Sequence, residues 1–468
     1  MRIPLALSSN KGKSSQFDCS RLVNMYAKPA QRGGNAKTEF YLENTPGLKL
    51  FSDLGVSFAG RGIINLGGVL YAVCDDSLYK IASDGSSTVL SATITGSGRV
   101  SLAKVLNQIA IQTKGGSAFY YDKNSNLTQI IPYPFPQQAG VLTAQNQRII
   151  GNMLETGQFF FSDLATTASY TGTNIATAER NDDNLVSLIA NYDDLFLFGS
   201  ETLEVKSPTV VDGDVVYQNI RGAVSNVGII GEYAVSDTDE GIIFVGSDKS
   251  IYNLKGYTPQ LISTDAIVDE IEEFSSPQTC EIFSYTQKNH KFSAITFPED
   301  TKTFCYDSVT GLFHERSSYY NNTNQAWRAR TIVKCYGKTL CADYASGKIF
   351  QIDPLTYSEN GEEIRRIVEF GYPSYETGGI NLSRLEVIMD TGESSGVSDS
   401  DTDPIITLEV SYNNGKTYTV NDTKNAGLAG RHETRVVFQS LGHFPLAPCF
   451  RLTVSAKCAW RIIAVDIS

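Results

Sequence analysis

Charge is scarce in this chain. Only 19% of its 468 residues are Asp, Glu, Lys or Arg, and the 51 acids outnumber the 39 bases, leaving a net charge of −12. A surface this acidic cannot wrap DNA by neutralising phosphates over its general area. Long apolar runs are missing too: no stretch of about 18 consecutive apolar residues exists, which excludes a membrane-spanning helix. Met1–Leu7 carries one Arg and lacks the apolar run of a signal peptide, so export by that route is not expected. The eight cysteines (Cys19, Cys74, Cys280, Cys305, Cys335, Cys341, Cys449, Cys458) include no CxxC pair. In so long a chain they read as reduced, mostly buried thiols of a protein made in a cytoplasm, not as a disulfide scaffold. The four histidines (His290, His314, His432, His443) stand apart from one another, with no HExxH and no Cys/His cluster of zinc-ligand spacing. Lys11-Gly12-Lys13-Ser14 ends like a phosphate loop but lacks the leading glycine. What the chain does have is 39 Gly, 24 Tyr and 23 Phe, a composition of short strands and tight turns.

A repeat runs through the middle. A β-rich run, a turn of Gly, Asp, Ser or Asn and a second β-rich run begin at Val69, Gln108, Arg148, Leu195, Ile242, Phe292 and Thr339, which are 39, 40, 47, 47, 50 and 47 residues apart. Asp75-Asp76-Ser77, Gly115-Gly116, Glu155-Thr156-Gly157 and Ser346-Gly347 supply reversals. An isolated hairpin is barely stable, and forty to fifty residues is the length of one four-stranded blade. Seven copies predict an all-β fold: a β-propeller of about seven blades over residues 67–364, in preference to one large β-sandwich.

The flanks differ from the repeat. In residues 1–66, Met1–Asn35 reads as a polar, Gly-rich arm, and Lys37–Phe51 as a strand able to close the ring. Ser263–Phe274 is a helical interruption, with Ile267, Ile271 and Phe274 on one stripe, Thr264 or Asp265 at the cap, and Asp269, Glu270, Glu272 and Glu273 on a solvated or docking face. Residues 365–468 carry about five alternating strands, one hairpin turning at Asn414-Gly415, and are expected to form a C-terminal β-sandwich-like domain. Gly392–Pro404 reads as an acidic surface loop. Its Asp399, Asp401 and Asp403 have the 1-3-5 spacing of a calcium loop, but Pro404 and Val410 stand where that loop needs Gly and Glu.

No residue is assigned as catalytic, metal-binding or cofactor-binding, and the chain is read as a non-enzyme. A glycosidase would need one raised and one ionised carboxylate across a cleft, which sequence cannot display. Phe159, Phe160, Phe161, Tyr120 and Tyr121 are candidate sugar platforms, but adjacent aromatics on a strand face opposite ways, so most are packing residues. The alternative reading is a carbohydrate-binding or glycan-cleaving propeller of a phage tail. Exposed termini and loops are the favoured partner contacts: Arg21, Asn24 and Tyr26 of the arm, the acids Asp399, Asp401 and Asp403, and the turn at His443.

Several segments resemble, in order, the tail hub proteins of short-tailed, tailspike-bearing bacteriophages, also called tail accessory factors or packaged-DNA stabilisation proteins. They are LVNMYA at Leu22–Ala27, GIINLGGVLYAVCDDSLYKI from Gly62, GSGRVSLA from Gly96, LFLFGSETLEV from Leu195, the helix within Ser263–Phe274, and RVVFQSLGHFPLAPCFRLTVS from Arg435. The resemblance implies a late-assembling virion protein of the tail, made in the bacterial host cytoplasm. Six copies would ring the tail beneath the portal and its adaptor, seal the DNA channel, and attach tailspikes and a tail needle. It implies no cofactor, no membrane span, and packaged DNA as a neighbour by proximity to the channel. An acidic wall would repel the DNA backbone and let it slide.

Overall fold

The computed structural model describes every residue except 14–17, 31–37, 93, 115–116, 125–127, 131–138, 179–181, 212–213, 321, 373–378 and 394–401. The expected turn at Gly115-Gly116 and the acids Asp399 and Asp401 therefore lie outside the described residues.

Seven antiparallel sheets follow one another along the chain. Blades 1 to 5 are four-stranded and span Gly60–Ala92, Val100–Ile130, Ala139–Thr177, Leu185–Ser225 and Val235–Leu261. Blade 6 uses Glu281–Gln287, His290–Phe297, Lys302–Asp307 and Leu312–Glu315. Blade 7 supplies only Ala329–Cys335, Lys338–Asp343 and Lys348–Asp353, and its fourth strand is Gly47–Asp53 from the chain's beginning, antiparallel to Lys348–Asp353. The innermost strand of each blade neighbours that of the next, and blade 7's neighbours blade 1's, so the circle is closed. The repeat seen in sequence is the second and third strands of each blade: the copies starting at Val69, Gln108 and Arg148 coincide with second strands to the residue.

Alternation puts apolar side chains on both faces of each blade, and they meet across the gaps. Tyr71, Val73 and Leu78 of blade 1 pack on Ile109, Ile111 and Phe119 of blade 2. Leu70, Ala72 and Ile81 pack on Leu340, Ala342 and Ile349 of blade 7, completing the circle. Such burial is the main stabilising term, at about 25 cal/mol per Å² of apolar surface removed from water. The helix, Asp265–Glu272, lies between blades 5 and 6 and buries Ile267 and Ile271 against them. Phe274 continues the stripe, its ring 4.9 Å from that of Phe297. Thr264 occupies the N-cap position, but its side chain makes no cap hydrogen bond; its carbonyl accepts from the Ile267 and Val268 amides instead.

Beyond the propeller, blade 6 does not end at its fourth strand. Arg21–Val23 adds in parallel to Leu312–Glu315, and Arg366–Gly371, Cys449–Val454, Ile405–Ser411 and Thr419–Asn425 extend the same sheet to nine strands. A second sheet, in the order Met25–Pro29, Phe40–Asn44, Arg461–Ile467, Ile380–Met389 and Val436–Phe444, shares one core with that extension around Leu385, Phe438, Phe450 and Trp460. The last hundred residues therefore do not stand alone, because strands from the first 44 residues complete both sheets. The expected free arm is tied down where described: Arg2–Ile3 pairs with Arg461–Ile467, and the Met1 amine donates to the Ile467 carbonyl at 2.6 Å.

Candidate functional site

The ring geometry brings the same register position of successive blades to one end of the axis. Arg61, Arg99, Glu232, Glu281 and Arg330 lie 8, 9, 10, 11 and 9 residues ahead of the copy starts Val69, Gln108, Ile242, Phe292 and Thr339. Arg330 donates through Nε to Glu281 at 3.0 and 3.1 Å, and Arg99 reaches the same carboxylate at 3.1 Å. Burial works to raise the Glu281 carboxyl, but the two guanidiniums outweigh it and hold its pKa below the ordinary value. Arg99 also stacks 4.2 Å over the ring of Tyr233. Arg61, almost fully buried, donates to the carbonyls of Asp75, Ile94 and Gly98. Behind this charged end runs a channel of about 500 Å³, walled by innermost-strand residues such as Leu102, Leu142, Leu188, Ile282 and Val333.

A second charged seam joins the propeller to the N-terminal segment. Arg21 grips Glu315, the last residue of blade 6, through two bonds of 2.9 and 2.7 Å, and Lys302 reaches the same carboxylate at 3.0 Å. Although burial acts to raise it, Arg21 and Lys302 pull the Glu315 pKa down to about 2. Lys302 bonds Glu270 at 2.6 Å and Lys13 bonds Asp269 at 2.8 Å, so half of the helix's expected solvated acids are paired. Next along the sheet, buried Glu369 takes Lys11 at 3.3 Å and Arg451 at 2.9 Å. Between helix and N-terminal segment lies a cleft of about 380 Å³ lined by Lys11, Lys13, Arg21, Asp269, Glu270 and Lys302.

The residues expected to meet partners fall into three groups. Arg21 and His443 keep surface, Arg21 within the seam and His443 with its Nδ1 2.9 Å from Asn381 Oδ1. Asn24 and Tyr26 do not: they are 1% and 2% exposed, which corrects the premise that the arm is free. Asn24 is the pivot at which the chain leaves the nine-stranded sheet and enters the second one. Its φ of 54° is left-handed, a region Asn tolerates better than most residues. Its side-chain amide donates to the carbonyls of Ser317 and Arg365 at 2.9 and 2.8 Å and accepts the Ser317 amide at 3.1 Å. Tyr26 donates to Glu43 at 2.9 Å. Asp403 serves its own chain, accepting from Asn425 Nδ2 at 2.7 Å and the Gly427 amide at 3.2 Å. The candidate platforms Phe159, Phe160, Phe161 and Tyr121 are buried between blades. Among the described residues, burial pushes the Glu359 carboxyl upward, and this group is sealed inside against Ser318, Trp327 and Arg316, away from the channel.

Residues 1–357 match the sequence model of the family Phage_stabilise, described as "Bacteriophage P22 Gp10, beta-propeller". The chain belongs to this phage stabilisation family. It is thus a structural bacteriophage protein and a virion component. The matched residues span the closing strand and all seven blades, and the final strands of the C-terminal sheets lie beyond them. No curated protein matches the chain. Among solved structures it is similar to the WD40 propeller domain of Doa1 (12% identity, 65% of this chain and 96% of that one, TM-score 0.41). It is also similar to U3-55K (10%, 66% and 99%, 0.41) and to the computationally designed Ika8 protein (12%, 66% and 100%, 0.39).

For a member of the phage stabilisation family, the notable feature is how much of its charge is spent internally. Sequence reasoning missed the Arg99–Glu281–Arg330 cluster and the seam through Glu315, Glu369 and Arg451. The first had a signal, a charged residue eight to eleven positions ahead of five of the seven repeats. The second had none, since its members are joined only by long-range strand pairing, of Arg21–Val23 with blade 6 and with Arg366–Gly371, and of Arg366–Gly371 with Cys449–Val454.

Proposed function

We propose that this chain is the tail hub of a short-tailed phage. Six copies form a ring beneath the portal and adaptor, close the DNA conduit after packaging, and carry the tailspikes and tail needle. The observation that carries this reading is the family match over residues 1–357 on a closed, rigid seven-bladed disc. Rigidity suits a part that must hold several partners at fixed angles. A net charge of −12 makes a conduit bordered by this protein repel phosphates and lets DNA slide. Assembly takes place in the host cytoplasm before release.

The test is cryo-electron microscopy of the virion tail, together with sizing of the purified chain with and without portal–adaptor particles. Expected are six copies below the adaptor, and a free chain that is monomeric until those particles are added. A tight dimer indifferent to portal–adaptor particles, or density for the chain elsewhere in the virion, overturns the proposal.

A further inference from the structure

Eight cysteines are buried in the fold, and two of them, 430 positions apart in sequence, lie together. Cys19 precedes the strand Arg21–Val23, and Cys449 opens the strand Cys449–Val454. The turn glycine Gly415 sits between them: a Cβ there would lie 3.4 Å from Cys19 Cβ and 3.5 Å from Cys449 Sγ. Gly371, directly opposite Cys449 across the strand pair, also leaves room for the pair, since a Cβ there would stand 3.2 Å from Cys19 Sγ. We propose that Cys19 and Cys449 are a latent disulfide site that stays reduced while the protein is made and closes once the virion meets an oxidising medium, stapling the N-terminal segment to the C-terminal sheet.

The surroundings give the two sulfurs different roles. The neighbouring Cys19 thiol, helped by the Lys11 ammonium, holds the Cys449 pKa below the usual thiol value, while Cys19 itself is pushed up by Cys449 and by burial. Cys74, Cys280, Cys305 and Cys341 are all pushed up by burial, so Cys449 is the favoured thiolate. With a small peroxide as oxidant, Cys449 thiolate attacks one peroxide oxygen; the O–O bond breaks, hydroxide leaves, and the cysteine becomes a sulfenic acid. Cys19, its proton passing to the departing hydroxyl, then attacks the Cys449 sulfur and releases water. Two thiols are oxidised, and one peroxide is reduced to water.

The experiment uses the whole folded chain and hydrogen peroxide. After treatment it is quenched, unfolded in alkylating agent without reductant, digested and weighed. Expected is one cross-linked peptide pair joining residues 19 and 449, about 2 Da lighter than the two reduced peptides together. Titratable thiols should fall from eight to six (8 − 2), returning on reduction. Cys19→Ser should abolish the cross-link and leave a dimedone-reactive sulfenic acid on Cys449, while Cys74→Ser should leave the cross-link between residues 19 and 449 unchanged. Retention of all eight thiols, a different cross-linked pair, or over-oxidation of Cys449 without joining Cys19 overturns the proposal. Should Cys19→Ser fail to fold, the peptide map of the unaltered chain decides alone.

Discussion

Replacing Glu315 by Gln tests whether the seam between blade 6 and the N-terminal segment is held by charge. Glu315 is 5% exposed and neutralises Arg21 and Lys302 together. Its pKa of about 2 stands against an ordinary 4.5, and a difference of about 2.5 units at about 1.36 kcal/mol each makes the ionised state worth about 3 kcal/mol to folding at neutral pH. Removing one member of a buried pair costs about 3–5 kcal/mol, and the low end applies because Arg21 retains 30% of its side-chain surface and can rehydrate. The sign follows from the direction of the shift. A depressed carboxylate contributes fully above pH 4.5 and loses that contribution as the pH falls towards 2. Glu315→Gln should therefore be about 3 kcal/mol less stable than the unaltered chain at pH 7, and the gap should shrink by roughly 2 kcal/mol at pH 3. Urea unfolding followed by tryptophan fluorescence measures it, since Trp327 and Trp460 are both buried and report from the propeller and the C-terminal core respectively. A loss under about 1 kcal/mol at pH 7, or a gap of the same size at both pH values, refutes the reasoning, because a neutral hydrogen bond would then be doing what is ascribed to charge.

Three further outcomes are expected. His314, buried beside Phe292, has its pKa lowered from 6.5 to about 3 by burial and by Arg316, so stability present above pH 6.5 is lost on acidification. The loss between pH 6.5 and 5 should be about 2 kcal/mol and should vanish in His314→Leu, read from unfolding midpoints across that range. Gly47→Ala would place a Cβ 2.4 Å from the Thr356 and Ser358 carbonyl oxygens and push the closing strand off blade 7, costing about 2–3 kcal/mol in thermal unfolding; Gly67→Ala, with open space around it, should lose only its left-handed backbone freedom. Asn24→Ala strands two carbonyls and an amide at a left-handed residue, and should cost about 2–4 kcal/mol by denaturant midpoint, where Asn24→Gly recovers only the backbone part.

Much of this protein could be read without its structure, and the reason is local. A hairpin announces itself within about fifteen residues through alternation and a turn, so seven hairpins at near-equal spacing revealed the propeller and located each blade's second and third strands. The helix was visible by the same logic of short-range periodicity. The closing strand was legible only in outline: Lys37–Phe51 looked able to complete a ring, while the register against Lys348–Asp353 and the exact span Gly47–Asp53 depend on a partner 300 residues away. What tertiary structure alone decided is every interaction between distant segments. It turned Asn24 and Tyr26 from apparent surface contacts into a buried pivot, gathered Arg99, Glu281 and Arg330 at one end of the axis, set Arg21 on Glu315, and brought Cys19 to Cys449. Alternating polarity specifies which face of a strand is buried, but not which other strand it will lie beside; that choice is made by the closure of the whole chain on itself.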